Sequence, residues 1–137
     1  MMFAVFPITV QAQLTNKTSP IANIDVSVDE MSYNEAVQYF TGRATRWPDG
    51  TIIILIVLPQ DASTTKTFVF EHLGMTSSQL YESLKINSTI RKHNTVSFVE
   101  NEREMLKKIS QTQGALGYVN NMFIILNNNE FKIIRIR

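Results

Sequence analysis

Cysteine is absent from this chain of 137 residues, which excludes disulfide frameworks, cysteine-ligated metals and a cysteine nucleophile, while leaving the compartment open. Histidine is scarce. His72 and His93 belong to no His-x-x-x-His or His-x-Glu pattern, so no metal site is expected. The chain also lacks a Gly-x-Ser-x-Gly elbow and a phosphate-binding P-loop. Without a nucleophile–base arrangement, the expectation is a protein that is not an enzyme and needs no cofactor. The formal net charge of +1 offers no electrostatic argument for a nucleic-acid partner. There is no internal repeat, low-complexity tract or Gly/Ser-rich linker, and no run of membrane-spanning length without polar interruption.

What remains is ordinary for a globular protein: 44% hydrophobic and 18% charged residues, in a length that suits one domain with a real core. Residues 1–12 differ from the rest, being uncharged and mostly apolar, with Val10-Gln11-Ala12 resembling a signal-peptidase site. They lack a positive n-region. We take them as the remnant of a signal peptide starting upstream; a first β-strand is the other reading, because Ile8, Val10 and Ala12 alternate with polar residues. Residues 13–137 are then a single domain.

After a polar stretch from Gln13 to Pro20, Ile21 to Val28 alternates and predicts a strand with Ile24, Val26 and Val28 on one face. Ser32 and Glu35 form a capping box for a helix that carries Ala36, Val37 and Phe40 and stops at Gly42. The stretch Phe40 to Thr51 contains the only Trp, two Arg and two Gly, and reads as a structured turn, with Trp47 as a packing anchor. The run Ile52 to Leu58 predicts a strand buried on both faces, ended by Pro59. A helix with Phe68, Phe70 and Leu73 inside should close at Gly74. Thr76 and Gln79 box the next, short helix, with Leu80, Tyr81 and Leu84 inside, and Lys85 to Asn94 follows as a polar segment. Thr95 to Val99 predicts a strand, Asn101 and Glu104 cap a helix with Met105, Leu106 and Ile109 inside, and Gly114 to Val119 leads into another strand. Met122–Leu126 and Glu130–Ile136 suggest a terminal hairpin around Asn127-Asn128-Asn129. Strands alternating with helices predict an α/β domain with a mixed, largely parallel sheet.

Two constellations could hold an anion. Asp61-Ala62-Ser63-Thr64-Thr65-Lys66 offers hydroxyls and free amides at a helix start; the plainer reading is that Ser63 or Thr64 caps the helix and Asp61 forms an Asx turn. Arg43 and Arg46 flank the Trp turn, and with Arg91-Lys92-His93 they could converge on an anion or lie as solvated loop ends. Glu100, Glu102 and Glu104 read as a solvated helix start that complements the dipole.

The order of motifs resembles one family. Phe40-Thr41-Gly42, Thr45-Arg46-Trp47-Pro48-Asp49-Gly50, the apolar strand to Pro59, Phe68…Leu73-Gly74 and Gly114-Ala115-Leu116-Gly117-Tyr118-Val119 are similar, over residues 20–126, to phosphate ABC-transporter substrate-binding proteins, and to their short single-lobe members in particular. The resemblance implies a periplasmic-binding-protein-like α/β lobe, export to the periplasm, a phosphate or other oxyanion ligand and a link to a membrane transporter. It implies Ser63, Thr64 and Thr65 as donors where the family has Ser-Gly-Thr, with Thr in place of the Gly that lets backbone approach phosphate. Asp61 matches in position an acidic residue that accepts a hydrogen bond from protonated phosphate. A two-lobed receptor needs roughly twice this length, and a single lobe leaves its ligand half exposed, where small-molecule sites bury about 70–90%. A homodimer would complete the cleft. The alternative is an envelope interaction module that kept the fold and lost the ligand.

Overall fold

The computed structural model describes residues 16–91, 95–126 and 130–137, so the leader at 1–12, Lys92, His93 and the Asn127–Asn129 turn lie outside the described residues. Strand β1 is Thr18–Asn23, β2 is Glu30–Met31, and helix α1 is Tyr33–Phe40. Strand β3 (Ile54–Val57) leads to α2 (Ser63–Phe68), which continues as a π-helical segment, Val69–Leu73. Helix α3 (Ser77–Arg91), β4 (Val96–Phe98), α4 (Glu102–Gln111) and β5 (Ala115–Asn120) follow. A 3-10 turn at Asn121–Leu126 precedes β6 (Phe131–Ile133) and β7 (Arg135–Ile136).

The main sheet has the order β4-β3-β5-β1-β6. Strand β3 is parallel to both β4 and β5, whereas β1 is antiparallel to β5 and β6, so four strands run one way and β1 alone opposes them. A small second sheet pairs β2 with β7 in parallel. The expected mixed, largely parallel α/β sheet flanked by helices is what the chain forms. Ile56, Leu116, Tyr118 and Val119 on the sheet pack with Met105, Ile109, Phe68 and Leu80 from the helices, all buried. Gly117 permits the close seat of α4: a Cβ there would lie 2.5 Å from the Met105 sulfur.

Local chemistry explains the helix ends. Ser32 Oγ accepts from the Glu35 amide while the Glu35 carboxylate accepts from the Ser32 amide, closing the box. Thr76 and Gln79 form the second box in the same way. Asn101 accepts from the Glu104 amide at 3.0 Å, and Glu104 accepts from the Glu100 amide. Trp47 is buried, tilted against Tyr39 at 5.1 Å, and its indole donates to the Gly114 carbonyl at 3.0 Å. It is the packing anchor that the tight turn called for.

Five expectations are corrected. The first strand is Thr18–Asn23, not Ile21–Val28, and Ile24 is exposed. Its start is held by Glu71, which accepts from the Lys17 and Thr18 amides and from the Thr18 hydroxyl. Pro20 fits within this strand because its carbonyl, accepting from Ile134, faces the β6 side beyond the β6 ladder, where no donor is required. In the apolar run, only Ile54–Val57 joins the sheet; Ile52 forms an isolated bridge to Arg46 and is exposed. Phe70 is exposed rather than core, since the π-helical turn adds a residue and shifts the phase of the buried face. Helix α3 continues past Leu84 through the polar stretch to Arg91, with Ser88 and Thr89 bonding back to the Lys85 carbonyl. Finally, Met122–Leu126 belongs to the 3-10 turn and is not the hairpin strand expected there. Asn120 Oδ1 accepts from the Met122 amide and curls the chain off β5, while β6 pairs with β1.

Candidate functional site

In open α/β sheets, ligands bind beyond the carboxyl ends of the parallel strands. Here that edge is made by Leu58–Ser63 after β3, Val99–Glu102 after β4 and Asn120 at the end of β5. Leu58 is gripped there by two tyrosines: its amide donates to the Tyr118 hydroxyl at 3.1 Å, and its carbonyl accepts from the Tyr81 hydroxyl. Thr65, fully buried, donates to the Pro59 carbonyl at 2.8 Å and lies 2.9 Å from the Tyr118 hydroxyl. One proton arrangement satisfies all of these bonds: Tyr118 accepts from Leu58 and donates to Thr65. The Tyr118 ring stacks on Phe68 at 4.6 Å. Burial pushes the Tyr118 phenol well above its usual range. Burial first, and then the charge of Asp61, raise Tyr81 to about 12.

The start of α2 has no side-chain cap. Ala62 occupies the cap position, and the first backbone bond closes from Lys66 to Ala62, so the plain reading of Ser63 or Thr64 as a cap is not met. By helix geometry the Ser63, Thr64 and Thr65 amides have no intrahelical acceptor. Ser63, Asp61 and Lys66 are exposed. Thr64 is 6% exposed, and its hydroxyl donates to Glu102 Oε2 at 2.6 Å; the same oxygen accepts from the Asn120 amide at 3.3 Å. The Thr64 and Thr65 hydroxyls are thus both engaged within the fold.

The structure does not bring Arg43 and Arg46 to this edge. Both precede β3 while Ser63 follows it, so they lie at opposite ends of the strand. Arg46 is exposed and donates to the Gly50 carbonyl, bracing the Trp turn, and Arg43 is exposed in the same loop. The convergence of these arginines with the Arg91–His93 cluster has no support: Lys92 and His93 lie outside the described residues. Sequence reasoning missed Glu102, Asn120 and the hydroxyl of Tyr118 as members of the site. Tyr118 was visible only within the Gly-Ala-Leu-Gly-Tyr motif, and nothing local marks Glu102 as the partner of a threonine 38 residues away.

The sequence matches no family model and no curated protein. Solved structures do match. A protein of Clostridium perfringens assigned as a phosphate ABC transporter substrate-binding protein, solved with bound phosphate, superposes with a TM-score of 0.67 at 14% identity. The match covers 88% of this chain and 45% of that one. PstS of Borrelia burgdorferi gives 0.66 at 14% identity, over 89% of this chain and 47% of its own. The fold is theirs. An ABC-type phosphate transport receptor of Vibrio cholerae is similar over 88% of this chain and 46% of its own, at 14% identity and a TM-score of 0.60. This chain therefore spans under half the length of the phosphate-receptor structures it matches. Among the described residues, no helix is long and apolar enough to cross a membrane.

Proposed function

We propose that this chain is an exported, periplasmic, non-catalytic module that binds a small oxyanion of the phosphate class and serves phosphate ABC transport. The observation that carries the proposal is the position of the α2 start: an uncapped helix beginning at the carboxyl edge of the parallel strands, within a fold shared with a phosphate-bound receptor. The amides of Ser63, Thr64 and Thr65 and the exposed Ser63 hydroxyl are the donors, Asp61 accepts from a protonated phosphate oxygen, and Lys66 adds positive charge. A second reading, an envelope interaction module that kept the fold and lost its ligand, is favoured by the internal engagement of the Thr64 and Thr65 hydroxyls. Amide NMR during titration with inorganic phosphate separates the two. Saturable shifts confined to Ser63–Thr65 and neighbouring residues support binding. Unmoved amides at millimolar phosphate support the second reading.

A further inference from the structure

We infer that the Glu102 carboxylate is the resident anion of this site and sets its affinity, an inference that rests on the oxyanion reading above. Glu102 stands at the first position of α4, and the helix dipole would favour a carboxylate there even if it were turned to solvent. Instead it is half-buried and reaches across to another element, taking the Thr64 hydroxyl and the Asn120 amide on one oxygen. A hydroxyl and a backbone amide are the donors that an oxyanion uses, and the Thr64 side chain that supplies one of them is more than nine-tenths buried. The capping duties at this helix start belong to Asn101 and Glu104, so the Glu102 contact is not needed to close the helix. Among the described residues no cationic group pairs with Glu102. Among the described residues its negative charge is held by neutral donors, and it stands close to any second anion taken up at the α2 start.

An incoming phosphate must either displace the carboxylate from Thr64 and Asn120 or bind beside it against like-charge repulsion. Both routes weaken binding, and they weaken it more for a dianion than for a monoanion. The chain is thus tuned to weak capture, and Glu102 discriminates against the more highly charged form of the ligand. The donor pair is built for an anion and is already filled by one from the same chain.

The test compares the full chain with Glu102→Gln and Glu100→Gln, titrated with inorganic phosphate under amide NMR, with thermal melts confirming that each variant is folded. Glu102→Gln keeps the shape and an acceptor for Thr64 but removes the charge. Glu100→Gln removes an exposed charge two residues away. The expected result is phosphate affinity higher by about tenfold in Glu102→Gln and within about twofold of the parent in Glu100→Gln, as a short-range effect requires. Equal gains in both variants would show a general field effect and overturn the inference. So would unchanged or weaker binding by Glu102→Gln in a parent that binds, and the oxyanion reading would then survive. Absence of binding in all three chains would overturn both. If Glu102→Gln melts early, Glu102→Ala, which also removes the charge, replaces it: a gain in affinity supports the inference, and parental affinity overturns it.

Discussion

Replacing Tyr118 by Phe is the sharpest probe of how the β3 edge is held. The substitution removes one oxygen and leaves the ring, so the stack on Phe68 at 4.6 Å persists and no cavity of consequence opens. The Leu58 amide, fixed at 3.1 Å from that oxygen in the core, then has no acceptor, whereas Thr65 keeps its bond to the Pro59 carbonyl. The loss is therefore one orphaned buried donor, about 1–3 kcal/mol. For a domain of this size that corresponds to a melting temperature lower by roughly 3–10 °C. Differential scanning calorimetry of Tyr118→Phe, Thr65→Val and the double variant gives the coupling directly. The two single costs together should exceed the double, because Thr65→Val leaves the Tyr118 hydroxyl proton without an acceptor, a loss the double variant does not carry. A Tyr118→Phe melt within a degree of the parent would refute the argument. So would a loss as large as that of Tyr118→Ala, for which cavity formation alone predicts about 3–5 kcal/mol.

Gly114→Ala should be among the most damaging conservative changes: φ there is +79° and an added Cβ would sit 2.2 Å from the Ile52 carbonyl oxygen, so backbone must move. We expect a loss of about 2–4 kcal/mol by urea unfolding, together with a red-shifted Trp47 emission as the indole loses its bond to Gly114. For alkaline pH, the folded protein holds Tyr81 protonated up to about 12, against 10.0 for a free phenol. Between those values the unfolded chain has released the proton and the native one has not, so stability is complete below pH 10 and falls as pH rises. Urea midpoints measured across that range should decline, and a Tyr81→Phe variant should decline less steeply.

The legible part of the fold was the part written in short range. Three capping pairs, the glycine stops at Gly42 and Gly74, and the β-branched run through Ile54–Val57 each depend on residues within a few positions of one another, and each was readable. What failed depended on distant partners. Nothing near Thr18 shows that Glu71 will anchor it, so the first strand was placed three residues late. The polar half of α3 has no apolar stripe to read, and the phase shift at Phe70 arises from a π-turn that periodicity does not encode. The site divides in the same way. The helix start at Ser63 has a local signature, whereas the contact of Glu102 with Thr64 depends on a residue on another element. Arg43 and Arg46 were proposed because they flank the Trp turn, and chain direction through β3 places that turn at the end opposite the Ser63 start.

The pairing of β1 has a consequence for how the chain reaches its fold. Thr18 registers with Asn120, and Ile21 lies between Gly117 and Ile133, so the centre of the sheet cannot be completed until residues more than a hundred positions downstream are available. Loop closure of that span makes folding slow compared with helical proteins of the same length, and leaves β1 without its sheet partners in the interval. A chain emerging from the ribosome would hold β1 unpaired, and β3 and β4 as an open layer, until β5 arrives. Such a sequence depends on being kept apart from its neighbours while it waits.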